Sequence, residues 1–332
     1  MTPKTTDLLL DDVDRRLVAA LQCDGRASVE QIAGVLRLTS RVVRRRLARL
    51  LGDGTVRVVI APQLDPYEAV MLLRIRVLRG SLDAVTKALA ERDDIPFIDL
   101  TAGGDEILAV LASGKDPRNR LIFRQLPATR AVTSVEAQTA MHVYADASAW
   151  RLDALSAAER RELTAPVRSH APDGLGREIL AALAPDARQS AAALAAKLGR
   201  PESTVRRRLT AMPPVTQTYV DPHRLGLLVD ANLYLRLPPA ELDRVGAALA
   251  AHPAVHGVLS TTGRANLHVA VWLPDLEGLH RFITGELAAL GVTDVETVLV
   301  GRAIKRPGQP IGSVIPRSGS LAATVRTPAR TG

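Results

Sequence analysis

The sequence predicts an α+β chain: two winged helix-turn-helix domains, each followed by a ferredoxin-like βαββαβ sandwich. Three observations predict it. Residues 15–47 recur 162 positions later as residues 177–209, and 14 of the 34 positions aligned from Asp14/Gly176 to Leu47/Leu209 are identical, with no gap. Both copies end in Val-Arg-Arg-Arg-Leu, at 43–47 and 205–209. After each copy the texture changes to apolar strands and short helices in the order βαββαβ. A period this long is a domain pair, because solenoid units repeat at roughly 20–50 residues.

In the first copy, residues 12–22 have helical spacing, with Val13, Leu17 and Leu21 on one face. Asp24-Gly25-Arg26 breaks that helix, and Ser28-x-x-Gln31 starts a second over 29–36 as a capping box. Arg37-Leu38 is a tight connection, Thr39 caps a third helix running to 51, and Gly52-Asp53-Gly54 ends it. Residues 55–61 are β-branched and read as the wing strand. After Asp65-Pro66 come a strand at 70–78 and a helix at 82–92 with Leu82, Val85 and Leu89 inward. Strands at 95–101 and 107–111 flank Gly103-Gly104, and a short helix at 118–126 leads to a strand at 131–139. The second copy repeats the plan with helices at 175–183, 191–198 and 201–212. Pro213-Pro214 shortens its wing, and Asp221-Pro222 matches Asp65-Pro66. Its sandwich reads 228–237, 239–252, 255–262, 267–273, 276–290 and 293–300.

The domain plan that follows is an N-terminal extension over 1–9, a helix-turn-helix domain over 10–62 and a sandwich over 68–142. A linker with one or two short helices spans 143–172, a second helix-turn-helix domain 173–222 and a second sandwich 228–301. A Pro/Gly/Ser-rich basic tail over 302–332 has the composition of a disordered segment.

Composition narrows the partners. Aromatic residues are only 3% of the chain, so its cores must be built from Leu, Val and Ala. The net charge of +8 includes six cations and no acid from residue 302 onward, leaving +2 for the rest (8 − 6), so local clusters carry more weight than the total. The single cysteine, Cys23, excludes an internal disulfide and a thiolate zinc site. With no basic start before an apolar run and no apolar stretch of about 18 residues, no membrane span is expected and the chain reads as soluble and cytoplasmic. No HExxH, Walker or GxGxxG pattern occurs, and Pro253 separates His252 from His256, so neither a metal site nor a cofactor is expected. Asp93-Asp94 reads as a solvated helix end.

The third helices carry the chemistry. At 100° per residue, Val43, Leu47 and Leu50 face the core of the first, with Arg41, Arg45 and Arg49 opposite and Arg44 on a flank. In the second, Val205, Leu209 and Met212 face in, Ser203, Arg207 and Thr210 face out, and Arg206 flanks. An apolar seat with long cationic donors opposite suits a helix in the major groove, where Arg reads guanine bidentately and also neutralises phosphates. Ser40, at the start of the first of these helices, joins the set. Arg46 and Arg208 sit nearer the core and suit phosphates or snorkelling. Double-stranded DNA is the expected partner. The turn Gly103-Gly104-Asp105-Glu106 and its counterpart Gly263-Arg264-Ala265-Asn266 read as hairpin turns, and as candidate effector contacts where backbone approaches a ligand.

These residues resemble the Lrp/AsnC (feast/famine) transcriptional regulators. The resemblance is carried by Leu10-Asp11-Asp12-Val13-Asp14-Arg15-Arg16-Leu17, by Leu21-Gln22-Cys23-Asp24-Gly25-Arg26-Ala27-Ser28, and by Leu47-Ala48-Arg49-Leu50 before Gly54-Thr55-Val56. It covers roughly 10–142 and 173–301. It implies a sequence-specific DNA-binding regulator rather than an enzyme, with sandwiches that pair and often hold a small effector such as an amino acid. Two copies in one chain imply an intramolecular pseudo-dimer able to associate further. Departures are Glu106 and Asn266 where the family usually has Asp, and Pro201-Glu202 where a capping Ser is usual. The rival reading is a tetrapyrrole enzyme, because siroheme decarboxylases look like fused pairs of the same modules.

Overall fold

The helix starts follow from their capping side chains. In the computed structural model, which describes residues 9–60, 69–78, 80–113, 121–147, 150–164, 173–211 and 215–306, α1 (Asp12–Cys23) opens with the Asp11 carboxylate accepting from the Asp14 amide at 2.8 Å. Ser28 caps α2 (Val29–Leu36) through the Gln31 amide at 3.0 Å, and Thr39 caps α3 (Ser40–Gly52) through the Val42 amide at 3.3 Å. Between them Arg37 has φ 55°, a left-handed turn that the second copy gives to Gly199 at φ 62°. Leu17, Leu21, Ile32, Val43, Leu47 and Leu50 close the core of this module.

The strand β1 (Val56–Ile60) leads into the first sheet: β2 (Ala69–Val77), α4 (Leu82–Ala90), β3 (Phe97–Thr101) and β4 (Glu106–Ser113). A wide π-helical turn at Leu121–Gln125 runs into the short α5 (Leu126–Ala128), then β5 (Val132–Ala145). In the predicted linker, β5 continues to Ala145 and α6 (Ala157–Leu163) forms behind a Ser156–Glu159 capping box. Leu155 and Leu163 are buried in the first helix-turn-helix core, so this segment is part of that module rather than a spacer.

The second copy gives α7 (Gly174–Leu183), α8 (Ala191–Leu198), α9 (Glu202–Ala211) and β6 (Thr216–Val220). Its sheet follows as β7 (Val229–Arg236), α10 (Leu242–Ala250), β8 (Val255–Thr261), β9 (Leu267–Leu273), α11 (Leu276–Arg281) and β10 (Asp294–Lys305). Ile179, Leu183, Leu194 and Val205 close the second helix-turn-helix, with Leu209 half-buried against them.

The two copies pair at every level. β1 and β6 form one antiparallel ribbon, Val58 opposite Thr218, so the wing strand expected in the first copy pairs with a strand of equal length in the second, where a shortened wing was expected. The two four-stranded sheets join edge to edge through β5–β8 and β10–β3 into a closed eight-strand barrel, β10-β3-β4-β2-β5-β8-β9-β7. The helix-facing sides carry the apolar cores, around Leu73, Ile75, Ile98 and Ile107 in one sheet and Leu233, Leu235, Val258 and Val269 in the other. The opposite faces look at each other across the barrel.

One boundary differs from the sequence reading. Residues 302–305 were expected to begin the tail, yet they complete β10 and its pairing with β3, because the strand must cross from its own sheet to close the barrel. The remaining tail, the extension over 1–8, Asp65-Pro66, and Met212 with Pro213-Pro214 lie outside the described residues. Among the described residues no helix is long and apolar enough to cross a membrane, and no group of three His, Cys, Asp or Glu side chains is placed to hold a metal ion.

Candidate nucleic-acid interface

Arg41, Arg44 and Arg45 stand exposed on α3, and Ser40 half-buried at its start. Arg44 reaches the Glu30 carboxylate of α2 at 3.3 Å, both side chains open to water, a pair worth little and easily exchanged for a phosphate. Arg41 and Arg45 make no ion pair among the described residues. Arg49 is exposed as well, and its guanidinium bonds the carboxylate of Asp14, whose side chain is only 4% exposed. Arg46 meets the same carboxylate at 2.9 Å and Asp11 at 2.6 Å, and these bonds, that to Asp11 first, raise its guanidinium above the ordinary value. Arg46 and Arg49 therefore brace α3 against α1, and the remaining arginines present themselves on a fixed helix.

On α9, Ser203, Arg206, Arg207 and Thr210 are exposed as expected. Arg206 pairs with Glu202 one turn back, and the Thr210 hydroxyl donates to the Arg206 carbonyl at 3.1 Å. Arg208 pairs with Asp173, the N-cap of α7, repeating the Arg46–Asp11 brace 162 residues on. The counterparts of Asp14 and Arg49 are Gly176 and Ala211, so the second module lacks both the buried acid and its arginine.

A reciprocal clasp holds the two modules together. Arg26 donates to the carbonyls of Ala187 and, at 3.1 Å, Gln189; Arg188, its counterpart, donates to Gly25 and, at 3.1 Å, Ala27. Each arginine thus reaches the same loop in the other copy, the signature of a two-fold interface. Gly25 is required there, since a Cβ would lie 2.5 Å from Thr216 Oγ1 and from Val58.

The two glycine turns cross the sheet seams in the same reciprocal way. The Ala102 amide donates to Leu299 at 2.9 Å and the Thr262 amide to Thr139 at 2.9 Å. Gly104 and Gly263 have φ 73° and 107°, and Gly103, Asp105 and Arg264 are exposed. Two other candidate effector contacts are engaged internally. Glu106 is buried against Arg74, and the Asn266 amide group bridges both backbone groups of Leu237 at 2.8 and 2.9 Å.

Between the sheets lies a polar core that sequence reasoning missed. Arg74 forks onto Glu106 at 3.0 and 3.1 Å and onto Glu296 of β10 at 2.8 Å twice, with its guanidinium 4.7 Å above the Tyr234 ring. Burial lowers the Arg74 pKa, but the bonds to Glu296 and Glu106 outweigh it and leave the group above its ordinary value. His268 bonds Asn232 at 2.9 Å, and burial pushes its imidazole down to about 4. Nearer β10's end Arg306 pairs with Asp99 at 2.7 Å; His256 stacks on Trp272 and lies 3.7 Å from Asp230. Trp150 packs against the first helix-turn-helix core and edge-on to Trp272 at 5.0 Å, joining that module to the second sheet. The available signal was Arg74 and Arg76 alternating inside an otherwise apolar strand, of which Arg74 is buried and Arg76 exposed.

Paired helix-turn-helix modules with outward arginines, clasped above a closed sheet core, define a two-headed DNA-binding protein. The AsnC-type helix-turn-helix profile matches residues 10–51 and 173–212, and the Lrp/AsnC ligand binding domain profile matches 232–310. The chain belongs to the Lrp/AsnC family of transcriptional regulators, with its DNA-binding module present twice. An uncharacterised HTH-type transcriptional regulator of Pyrococcus furiosus is 30% identical over 102 residues, 30% of this chain and 69% of that protein. The HTH-type transcriptional regulator FL11 of Pyrococcus abyssi is 24% identical over 117 residues, 34% of this chain and 78% of that protein. Among solved structures the siroheme decarboxylase NirDL shares the fold over 89% of this chain and 93% of its own, with TM-score 0.53 at 14% identity.

Proposed function

We propose that this regulator grips duplex DNA with α3 and α9 in major grooves, through Arg41, Arg44 and Arg45 on one and Ser203, Arg206, Arg207 and Thr210 on the other. The observation that carries the reading is the repeated exposed arginine face on two third helices clasped by Arg26 and Arg188. A two-fold pair of this kind addresses half-sites about 10 base pairs apart. In gel shifts on the region upstream of its own operon, Arg44→Ala/Arg45→Ala is expected to weaken binding by about 1–3 kcal/mol per base-reading arginine, and binding falls steeply with salt. Equal binding by variant and wild type sinks the assigned helix.

The match to a ligand binding domain over 232–310 supports a small effector near the exposed turn residues Gly103, Gly104, Asp105, Gly263 and Arg264. The contact of Trp150 with Trp272 offers a route from sheet to DNA module. A thermal-shift screen of amino acids tests for the effector, and light scattering with and without a hit tests for association of whole chains.

A tetrapyrrole enzyme is the second reading, favoured by the likeness to NirDL along most of the chain. Arg74, the arginine best placed between the sheets, is already held by two carboxylates, which disfavours it as an anchor for a further acid. Incubation with siroheme decides: a bound Soret band with loss of substrate carboxylates establishes the enzyme.

A further inference from the structure

The clasp makes the two DNA-binding modules geometrically equivalent, but the helices they present are not chemically equivalent. β1 and β6 pair in antiparallel register about Val58 and Thr218, and Arg26 and Arg188 exchange the same bonds in both directions. A symmetric dimer with this frame would read a palindrome, since each half would carry the same side chains to the same place. Here the shared positions are Arg44/Arg206 and Arg45/Arg207, whereas the first turns differ: Ser40-Arg41 on α3 against Glu202-Ser203 on α9. In helix-turn-helix proteins the N-terminal residues of the recognition helix are the ones that reach base edges.

We propose that this chain reads an asymmetric operator in one orientation, with Arg41 and Glu202 as the residues that tell its two half-sites apart. The inference rests on the DNA-binding reading above. Arg41 is exposed, carries only donors and matches the O6 and N7 acceptors of guanine. Glu202 carries only acceptors and matches the N4 amino group of cytosine. The two first turns thus differ in hydrogen-bonding character at both places, a donor-only Arg41 where α9 has Ser203 and an acceptor-only Glu202 where α3 has Ser40. Carboxylates also bear differently on the two helices. On the first module Glu30 partners Arg44 from α2, beside the recognition helix. On the second, Glu202 sits on the recognition helix itself and holds Arg206, in a groove that Arg26 of the first module helps to line. A carboxylate there repels phosphate, so α9 contributes discrimination more than grip.

The test is selection from random duplex DNA by the full chain, sequencing what is retained. The expected motif is bipartite, its half-sites alike at the bases under Arg45 and Arg207 and unlike at the bases under the first turns. Glu202→Ser with Ser203→Arg, which copies the first module's turn onto α9, is expected to make the motif palindromic and tighten binding about tenfold. The single change Glu202→Gln alters only one exposed side chain and is expected to relax the preference at one base of one half-site. A palindromic motif from wild type, or an unchanged motif from both variants, overturns the proposal while leaving DNA binding intact. No enrichment of any sequence overturns it together with the DNA-binding reading.

Discussion

The first helix-turn-helix module is anchored and the second is pared down. Both keep the Asp–Arg brace between their first and third helices, Asp11–Arg46 and Asp173–Arg208. Only the first adds the buried Asp14 with Arg49, the packed helix α6 and a larger apolar core that draws in Leu155 and Leu163. The second closes on a few residues, Ile179, Leu183, Leu194 and Val205 among them. The smaller second module is held against the first by the Arg26–Arg188 clasp and the β1–β6 ribbon. The sheets diverged in the same complementary sense. At equivalent places facing each other across the barrel, Arg74 in one copy meets Tyr234 in the other, a pairing that two identical copies could not make.

Five experiments bear on this contrast. The largest effect belongs to Arg74→Ala, which leaves the buried Glu106 with only the exposed Arg76 at 3.6 Å; denaturant unfolding should show a loss of about 3 kcal/mol. Asp14→Ala strikes the anchor that only the first module has. It should cost about 2–3 kcal/mol, less than a fully buried pair because Arg49 is half exposed and Arg46 keeps Asp11. Arg49→Ala should leave DNA affinity within about twofold of wild type, whereas Arg45→Ala should not, since a base-reading arginine is worth about 1–3 kcal/mol. A pH series probes the sheet core. His268 is held neutral down to about 4 while the unfolded chain takes up its proton near 6.5. Stability is therefore full above pH 6.5 and falls as pH drops toward 4, by about 2–3 kcal/mol from this group; His268→Gln should flatten that slope. The smallest effect is the helix turn. Arg37→Gly should raise stability by up to about 1 kcal/mol by relieving a left-handed residue, and Gly199→Ala should lower it by about as much, both read from melting temperature.

Local elements were legible because their causes are local. Ser28, Thr39 and the spacing of Val43, Leu47 and Leu50 lie within a few residues of the helices they set. The outward arginines followed from the same periodicity. The bond of Arg49 to Asp14 did not, because the two lie 35 residues apart. Comparing the copies could have exposed it, since Gly176 and Ala211 replace acid and base together. The seams β5–β8 and β10–β3 were equally hidden, because strand register between copies is decided by facing side chains rather than by turns. The same crossing explains Arg302, Lys305 and Arg306. Read alone they look like a charged tail, yet Arg306 lies half-buried on Asp99 of the other sheet.

The closure of the barrel by β10 also bears on how the chain is made. The first sheet emerges from the ribosome complete in its own strands but with β3 and β5 bare along their outer sides. β8 covers β5 partway through synthesis of the second copy, while β3 waits for β10, the last strand described. Until then the nascent protein carries an open strand edge, the kind of surface that recruits neighbouring chains or chaperones. A polypeptide halted before residue 294 keeps that edge for good, so its hazard is aggregation of a half-finished ring rather than mere loss of a domain.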